Sequence, residues 1–206
     1  MIIYPENYDW ILAGDVYIAS QKEKPGQIQT ICVNDDLKVV GIGPNSINAQ
    51  DRITIIGHGS PGKYLSKTPN DFVNMLKKLG LKQEYSGTIE FFTCDAALFN
   101  ENPVDHSLAH LTKNEFPNAK VIAAKGPSIY KGKDQRYVVN PDMKSEARRI
   151  QESLIVDKSI PTGNLSIIEK GKIIRERASV KKFYERFIQE LSGVDGMLIN
   201  EVVILD

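Results

Sequence analysis

Short apolar runs alternate along the chain with segments of helical period. The runs "RITIIG" (52–57) and "TIEFF" (88–92) have the length and β-branched or aromatic composition of buried strands. Between them, "TPNDFVNMLKKLG" places its apolar residues on one helical face, with Thr68 as N-cap and Gly80 as the stop. Strand, helix and strand in this order predict a largely parallel sheet with right-handed crossovers.

The same pattern predicts the other elements. We expect strands over "YDWILAGDVYIA" and "AKVIAA", and helices over "NPVDHSLAHLTKNEF", "SEARRIQESLI" and "SVKKFYERFIQELSG". Hairpins are expected where "QIQTICV" meets "LKVVGIG" at Asn34-Asp35-Asp36, in "SIYKGKDQRYVV", and in "LSIIEKGKIIRE" at Lys170-Gly171. No linker divides these segments, so we predict one α/β domain over 1–206, with a core at 8–140 and a basic C-terminal subregion at 141–206.

Composition narrows the class of protein. The 206 residues are 41% apolar and 25% charged, which is ordinary for a globular protein. The opening "MIIYPENYDW" lacks the basic start and apolar run of a classical signal peptide, and no later apolar run approaches the roughly 20 residues that span a bilayer. We therefore expect a soluble protein with no membrane span. The two cysteines, Cys32 and Cys94, both lie in apolar runs, which favours a reducing compartment.

Charge is unevenly distributed although the formal net charge is zero. From Lys120 to Arg186 the chain has 16 Lys/Arg against 8 Asp/Glu, and the segments on either side each carry −4. A local excess of this kind predicts an anionic partner, but a solvated charged surface explains it equally well.

Two predicted neighbouring strands end in residues that can act in catalysis. One ends at His58, between Gly57 and Gly59, and the next ends at Cys94. Ligands of open α/β sheets gather at the carboxyl ends of the strands, and a thiolate nucleophile needs a base beside it. The backbone N–H groups of Gly59 and Cys94 could also stabilise an oxyanion, because a glycine lets a substrate carbonyl approach closely.

Simpler interpretations stand beside this one. A cysteine at the end of an apolar run is more often a small core residue, and we assign Cys32 to that class. His106 and His110 have a metal-binding spacing, but "DHSLAH" offers no obvious third ligand, so no metal is expected. The chain contains no G-x-S-x-G motif, which excludes the usual serine hydrolase arrangement.

The motifs "RITIIGHGS" and "TIEFFTCDAAL" resemble those of caspase-like cysteine peptidases, and most closely the self-processing domains of MARTX and large clostridial glucosylating toxins. "YDWILAGDVYIA" resembles the toxin strand that ends in Gly-Asp, and "AKVIAAKGPSIYKGKDQRYVV" occupies the place of their β-flap. The resemblance covers about 8–140.

The chain departs from the toxin domains at several points. Thr93 precedes the cysteine where glycine is common, the segment after Asp15 is short, and the flap tryptophan is missing, since Trp10 is the only tryptophan. For the aspartate that orients the histidine, Asp15 is the position that matches the toxins, and Asp35, Asp36 and Asp51 are rivals.

The resemblance implies a mostly parallel caspase-like sheet flanked by helices, and peptide hydrolysis without a cofactor. Cys94 would be the nucleophile, His58 the proton donor to the leaving amine, Asp15 its orienter, and the amides of Gly59 and Cys94 the oxyanion site. The toxin domains cleave after leucine and are activated by inositol hexakisphosphate. The basic residues that could bind this polyphosphate are Lys125, Lys131, Lys133, Arg136, Arg148, Arg149, Lys170, Lys172, Arg175, Lys181 and Lys182.

The predicted protein is therefore a thiol protease with a protein substrate and no nucleic-acid partner. The resemblance further implies an autoprocessing bacterial toxin or effector that is secreted and delivered to the host cell cytosol. Two other functions remain open. The scaffold could be a non-catalytic polyphosphate-binding module, or the dyad could serve another acyl transfer such as deamidation.

Overall fold

A computed structural model describes residues 1–7, 9–23, 28–41, 47–99, 107–131, 135–156, 168–169, 172–173 and 178–206. The described helices are α1 (Trp10–Lys22), α2 (Pro69–Lys78), α3 (Leu108–Glu115), α4 (Lys144–Val156) and α5 (Ala178–Ser192), with a short 3₁₀ helix at Pro141–Met143. The described strands are β1 (Ile2–Pro5), β2 (Thr30–Val33), β3 (Val39–Val40), β4 (Arg52–Gly57), β5 (Gly59–Ser60), β6 (Lys63–Tyr64), β7 (Thr88–Thr93), β8 (Lys120–Ala124), β9 (Ser128–Lys131), β10 (Gln135–Val139), β11 (Ile168–Glu169), β12 (Lys172–Ile173), β13 (Leu198–Ile199) and β14 (Val202–Leu205).

A mostly parallel sheet organises this α/β fold. Among the described residues it has seven strands in the order β14-β8-β7-β4-β1-β2-β3. The inner strands β8, β7, β4, β1 and β2 are parallel, and the edge strands β14 and β3 are antiparallel to their neighbours. The carboxyl ends of the parallel strands consequently lie along one edge of the sheet.

Helices cover both faces of the sheet, because its central strands are apolar on both sides. In β4, Ile53 and Ile55 join the core beneath α2 and α3, whereas Ile56 joins the core beneath α1 and α5. In β7, Phe91 and Phe92 divide between the two cores in the same way. This buried pair of strands gives the sheet a rigid centre.

Most of the predicted elements are confirmed. α2 begins with the capping box of Thr68 and Asp71, and the chain leaves it at Gly80, whose φ of 89° favours glycine. The β2–β3 and β9–β10 hairpins form as predicted. α3 begins at Leu108 with Ser107 as its N-cap, and the predicted start of this helix at 102–106 lies outside the described residues, as does the Lys170-Gly171 turn. The sequence interpretation missed the inner strand β1 and the edge strand β14.

The prediction of a strand over "YDWILAGDVYIA" is wrong, because this segment forms α1. Asp9 caps the helix, its carboxylate accepting hydrogen bonds from the backbone N–H groups of Ile11 and Leu12. α1 packs between the sheet and α5 and buries residues on several sides, among them Leu12, Ala13 and Val16. A helix buried in this way lacks a polar face, so its apolar run is easily mistaken for a buried strand.

Gly14 allows α1 to approach α5 closely. A Cβ at this position would lie within 3.0 Å of three atoms of the Tyr184 ring, the farthest being Cγ at 2.9 Å. The next residue, Asp15, reaches the Tyr184 hydroxyl, with Oδ1 and Oη 3.5 Å apart. The Gly-Asp pair is thus a helix-packing feature here.

None of the helices in the described part of the chain is long and apolar enough to cross a bilayer.

We predict that Gly14→Ala destabilises the protein by about 1–3 kcal/mol, the usual cost of overpacking. In a Tyr184→Ala background the same substitution should be neutral or stabilising, because the ring is absent and alanine is the better helix former by about 1 kcal/mol. Urea unfolding of the four proteins of this double-mutant cycle measures the coupling. Equal destabilisation in both backgrounds would contradict the packing argument.

Candidate active site

The pairing of β4 with β7 brings His58 and Cys94 to one place. The two strands are parallel and in register along their whole length, from Arg52 opposite Thr88 to Gly57 opposite Thr93. The residue that follows each strand is His58 in one case and Cys94 in the other. The sheet thus presents an imidazole and a thiol at neighbouring strand ends, where α/β proteins bind their ligands.

Gly59 fits against the cysteine turn because it lacks a side chain. A Cβ there would lie 2.6 Å from the carbonyl oxygen of Cys94 and would also overlap Cγ2 of Thr93. After Gly59 the chain turns back through the β5–β6 hairpin, and Leu65 donates its N–H to the His58 carbonyl at 3.0 Å. The backbone on either side of the candidate dyad is therefore packed together tightly.

The carboxylate beside His58 belongs to Asp9. Oδ2 of Asp9 lies 3.5 Å from Nε2 of His58, and both side chains are about half exposed. The hydrogen bond to Asp9 raises the pKa of His58 despite the opposing effect of burial. The His58 imidazole is therefore protonated at low pH. Its ion pair with Asp9 is lost as the pH rises through the raised pKa of His58.

The position of Asp15 does not fit its predicted role as the residue that orients His58. It lies inside α1, is 4% exposed and has Tyr184 as its hydrogen-bonding partner, and burial raises its pKa well above the usual range. Asp51, one of the rivals, precedes β4 and so lies at the opposite end of that strand from His58. A polar residue directly before an apolar run is a typical helix N-cap, and this signal at Asp9 could have identified the His58 partner.

Cys94 is half-buried at the end of β7. Burial is the largest cause that raises the pKa of its thiol to about 12, and the carboxylates of Asp15 and Asp95 add to the rise. The Ser128 backbone N–H, which bonds to the sulfur, and the Lys144 ammonium lower that pKa, but less. A thiol in this environment is mostly protonated at neutral pH.

Asp95, which the sequence interpretation did not single out, has an unusual backbone. Its φ of 57° lies in the left-handed region, where aspartate and asparagine are tolerated better than most residues. Its N–H donates to the Gly126 carbonyl at 3.2 Å, which joins the cysteine turn to the segment before β9. Backbone strain of this kind is common at functional sites.

An open cleft of about 460 Å³ adjoins His58 on the side of the β2–β3 hairpin. Asp35 and Asp36, two of the rival aspartates, lie on its wall together with Lys67. Nζ of Lys67 lies 2.9 Å from Oδ1 of Asp36, so these two charges are paired.

A second pocket, of about 410 Å³, contains a cluster of charges on the α1 face of the sheet. Glu90 of β7 is 3% exposed, and its Oε1 and Oε2 lie 2.9 Å from Nζ of Lys22 and 2.5 Å from Nη1 of Arg52. Arg136 donates to the Phe91 carbonyl, and its Nε and Nη1 have no hydrogen-bond partner among the described residues. Burial alone would raise the pKa of Glu90, but Lys22 and the other donors lower it overall.

Of the predicted polyphosphate ligands whose side chains the structure describes, Arg136 alone lines this second pocket, which we call the basic pocket. Lys22 and Arg52 lie in the acidic first half of the chain, so the charge count could not indicate them. Arg148 and Arg149 pair with Glu152 and Glu146 on the surface of α4, and Lys181 lies 3.9 Å from Glu185 on α5. Lys182 is exposed, and the backbone N–H of Lys125 donates to the carbonyl oxygen of Glu201. Lys133, Lys170 and Arg175 lie outside the described residues, and the side chains of Lys131 and Lys172 are likewise not described.

The remaining predicted positions are not brought into the site. Nδ1 of His110 lies 2.6 Å from Oγ of Ser107, and its ring packs against Phe99. His106 lies outside the described residues. Cys32 lies in β2, a strand that is separated from β4 by β1.

Comparison of the sequence with models of known protein families finds no match, and comparison with curated proteins finds none. The site must therefore be interpreted from its geometry.

We predict that Asp9→Asn lowers the pKa of His58 toward the ordinary 6.5, because the hydrogen bond to the carboxylate is the largest cause of its rise. Titration of the His58 ring proton by NMR measures the midpoint. Asp15→Asn is the matched control and should leave the His58 midpoint where it is. The reverse pattern would restore Asp15 as the partner of the histidine.

Proposed function

We propose that the protein is a cysteine endopeptidase with a caspase-like architecture, in which Cys94 and His58 form the catalytic dyad. The observation that carries the proposal is the in-register pairing of β4 and β7, which ends in a histidine on one strand and a cysteine on the other. The mostly parallel sheet flanked by helices is compatible with that architecture. We take the β9–β10 hairpin as the flap and 141–206 as the C-terminal subregion.

The proposed reaction is acyl transfer through a thioester. The Cys94 thiolate attacks the scissile carbonyl carbon, and the N–H groups of Gly59 and Cys94 bind the oxyanion. The C–N bond then breaks as His58 gives its proton to the leaving amine, and water hydrolyses the thioester to a carboxylate and a free thiol. Asp9 holds the imidazole, in place of the expected Asp15. Cleavage after leucine stays a prediction from the resemblance.

The environment of the thiol favours a regulated enzyme. With its pKa raised to about 12, Cys94 is held in the unreactive form in the described arrangement. His58 is engaged with Asp9. An event that stabilises the thiolate, such as the arrival of positive charge, would then favour catalysis.

The basic pocket favours the second candidate function, binding of a polyphosphate. Lys22, Arg52 and Arg136 converge from α1, β4 and β10 around a single carboxylate, which leaves an excess of positive charge. Inositol hexakisphosphate is the proposed ligand, as an activator of the peptidase or as the ligand of a non-catalytic module. We place the protein, as a toxin or effector domain of bacterial origin, in the reducing cytosol of a host cell.

The test of the dyad is covalent labelling by an electrophilic leucyl peptide, with and without inositol hexakisphosphate. We expect Cys94→Ala to abolish labelling and His58→Ala to reduce it by a factor of about 10² or more, since the imidazole supplies general acid–base catalysis. The matched control is Cys32→Ala, which removes the other cysteine and should label normally. Labelling that survives Cys94→Ala would refute the proposal.

Products from a peptide library, identified by mass spectrometry, separate hydrolysis from deamidation. Hydrolysis yields two fragments, whereas deamidation leaves the peptide intact.

The test of the basic pocket is a thermal shift. Inositol hexakisphosphate should raise the melting temperature by mass action, with a stabilisation of about 2.7 kcal/mol at 100 times Kd. Arg52→Gln should reduce the shift, whereas Arg148→Gln, on the exposed surface of α4, should not. A shift that is lost only in the Arg148 variant would place the polyphosphate on α4. Stabilisation without thiol reactivity would favour the non-catalytic module.

A further inference from the structure

Strained backbone conformations mark a path away from the candidate dyad. The described residues other than glycine that have a positive φ are Leu37, Leu65, Ser66 and Asp95, at 58°, 47°, 65° and 57°. The last of these follows the candidate nucleophile, two line the cleft beside the histidine, and one lines a further groove. A leucine in this conformation is unusual, and such strain is common where function requires it. The strain thus runs from the dyad toward the β2–β3 hairpin.

The turn at Leu65 and Ser66 builds a wall of the cleft beside His58. Its flanking residues, Tyr64 and Lys67, exchange two backbone hydrogen bonds, of 3.0 and 2.9 Å. A two-residue turn with positive φ at both positions normally has the sequence Asn-Gly. The chain instead has two residues with larger side chains there, and both line the cleft. The turn therefore forms part of the surface that a substrate meets beside the histidine.

A groove of about 470 Å³, which we call the β3–α2 groove, lies between the edge strand β3 and α2. Asp36 and Lys67 line both this groove and the cleft beside His58, so the two cavities adjoin at that ion pair. The apolar lining of the groove consists of Leu37, Val39, Met75 and Leu79. The candidate site therefore continues into a surface on which an apolar side chain can pack.

The charge of the β3–α2 groove is net positive, since three lysines and two aspartates line it. Asp36 is paired with Lys67, and Asp71 belongs to the capping box of α2. Lys38 of the hairpin and Lys78 of α2 are exposed, and neither has an ion pair among the described residues. An acidic segment therefore complements the groove better than a basic one.

The edge of the sheet at this groove can pair with an extended chain. Val39 and Val40 are 37% and 39% exposed, and β3 has no further strand beside it in the described part of the protein. An edge strand offers unpaired backbone N–H and C=O groups to a peptide. An extended segment thus finds backbone partners here as well as an apolar lining.

The leaving part of a substrate lies on the side of this groove. His58 would protonate the leaving amine, so the segment that leaves lies beside His58. In the order β4-β1-β2-β3, β3 is the third strand beyond β4. The usual spacing of strands places it roughly 14 Å away, and an extended peptide, which rises about 3.3 Å per residue, spans that distance in about four residues.

We propose, on the premise that the protein is the cysteine peptidase described above, that the β3–α2 groove binds the leaving-side segment of its protein substrate. This segment is extended and carries an apolar residue beside an acidic one, about four residues after the scissile bond. The apolar side chain packs on Met75 and Leu79, and the acidic side chain pairs with Lys38 or Lys78. The enzyme thus recognises its substrate well beyond the cleaved bond.

The test uses four peptides that share a leucine before the scissile bond and differ only at the fourth and fifth residues after it. These two residues are Leu-Glu, Leu-Lys, Ser-Glu or Ser-Lys. Fluorescence anisotropy measures binding to the Cys94→Ala protein, and mass spectrometry measures kcat/KM on the unchanged protein with inositol hexakisphosphate present. We expect the Leu-Glu peptide to exceed the Ser-Lys peptide at least about tenfold in affinity and in kcat/KM, since one buried leucine and one ion pair supply that difference.

Charge reversal shows whether the groove is the binding surface. Lys38→Glu combined with Lys78→Glu should invert the preference, so that the Leu-Lys peptide binds more tightly than the Leu-Glu peptide. Lys82→Glu, at an exposed lysine just after α2 and outside the groove, is the matched control and should leave the order unchanged. Moving Leu-Glu to the first and second leaving positions should remove its advantage. Circular dichroism verifies that each variant is folded.

The outcomes separate this inference from the peptidase proposal. Cleavage and binding without a preference for Leu-Glu would refute the groove and leave the dyad intact. A preference that survives the double charge reversal, or the move to the first two positions, would also refute it. If no peptide is cleaved but binding to the Cys94→Ala protein follows the expected order and inverts with the lysines, the peptidase proposal fails and the groove is supported. The absence of both cleavage and binding would overturn both.

Discussion

Parallel pairing of β4 with β7 is the constraint on which the candidate site depends. Its register sets two strand ends side by side, and buried residues on both faces of the two strands fix that register, since a slip by one residue would exchange the faces. Gly59 then lets the two turns touch, because any larger residue would overlap the Cys94 carbonyl. The positions of His58 and Cys94 thus follow from the core of the sheet, and the chemistry proposed for them needs no unusual loop geometry.

Several strands of the sheet, and the placement of His58 and Cys94 at neighbouring strand ends, could be predicted from the sequence because each depends on local patterns. Apolar runs of strand length, the capping box of α2 and glycines beside His58 are all signals within a few residues. The histidine's partner was predicted wrongly, because the prediction depends on whether 10–22 is a strand or a helix, and the N-cap signal at Asp9 was not used. In α1, Asp9 caps the first turn beside His58 while Asp15 is buried against Tyr184. Because 10–22 was predicted to be a strand, the carboxylate was assigned to Asp15, six positions after Asp9.

Charged residues that lie close together in the fold come from distant parts of the sequence. Within the described part of the chain, the basic stretch that begins at Lys120 supplies one arginine to the basic pocket, and the acidic first half supplies two cations. The same first half supplies the aspartates around the dyad. The same half of the chain thus supplies cations to the basic pocket and carboxylates to the candidate site. A net charge counted along the sequence cannot detect this separation, because it adds contributions that the fold keeps apart.

Glu90 sets how much negative charge an anion needs in order to bind in the basic pocket. Lys22 and Arg52 already neutralise this buried carboxylate, and Tyr130 also donates to it at 2.6 Å. An incoming anion must therefore compete with a partner that is covalently tethered in place and permanently present at high effective concentration. Chloride or a single carboxylate has too little charge to displace it, whereas a densely charged ligand engages all three cations at once. The pocket would thus discriminate among anions by their valence and ignore the simple salts of a cell.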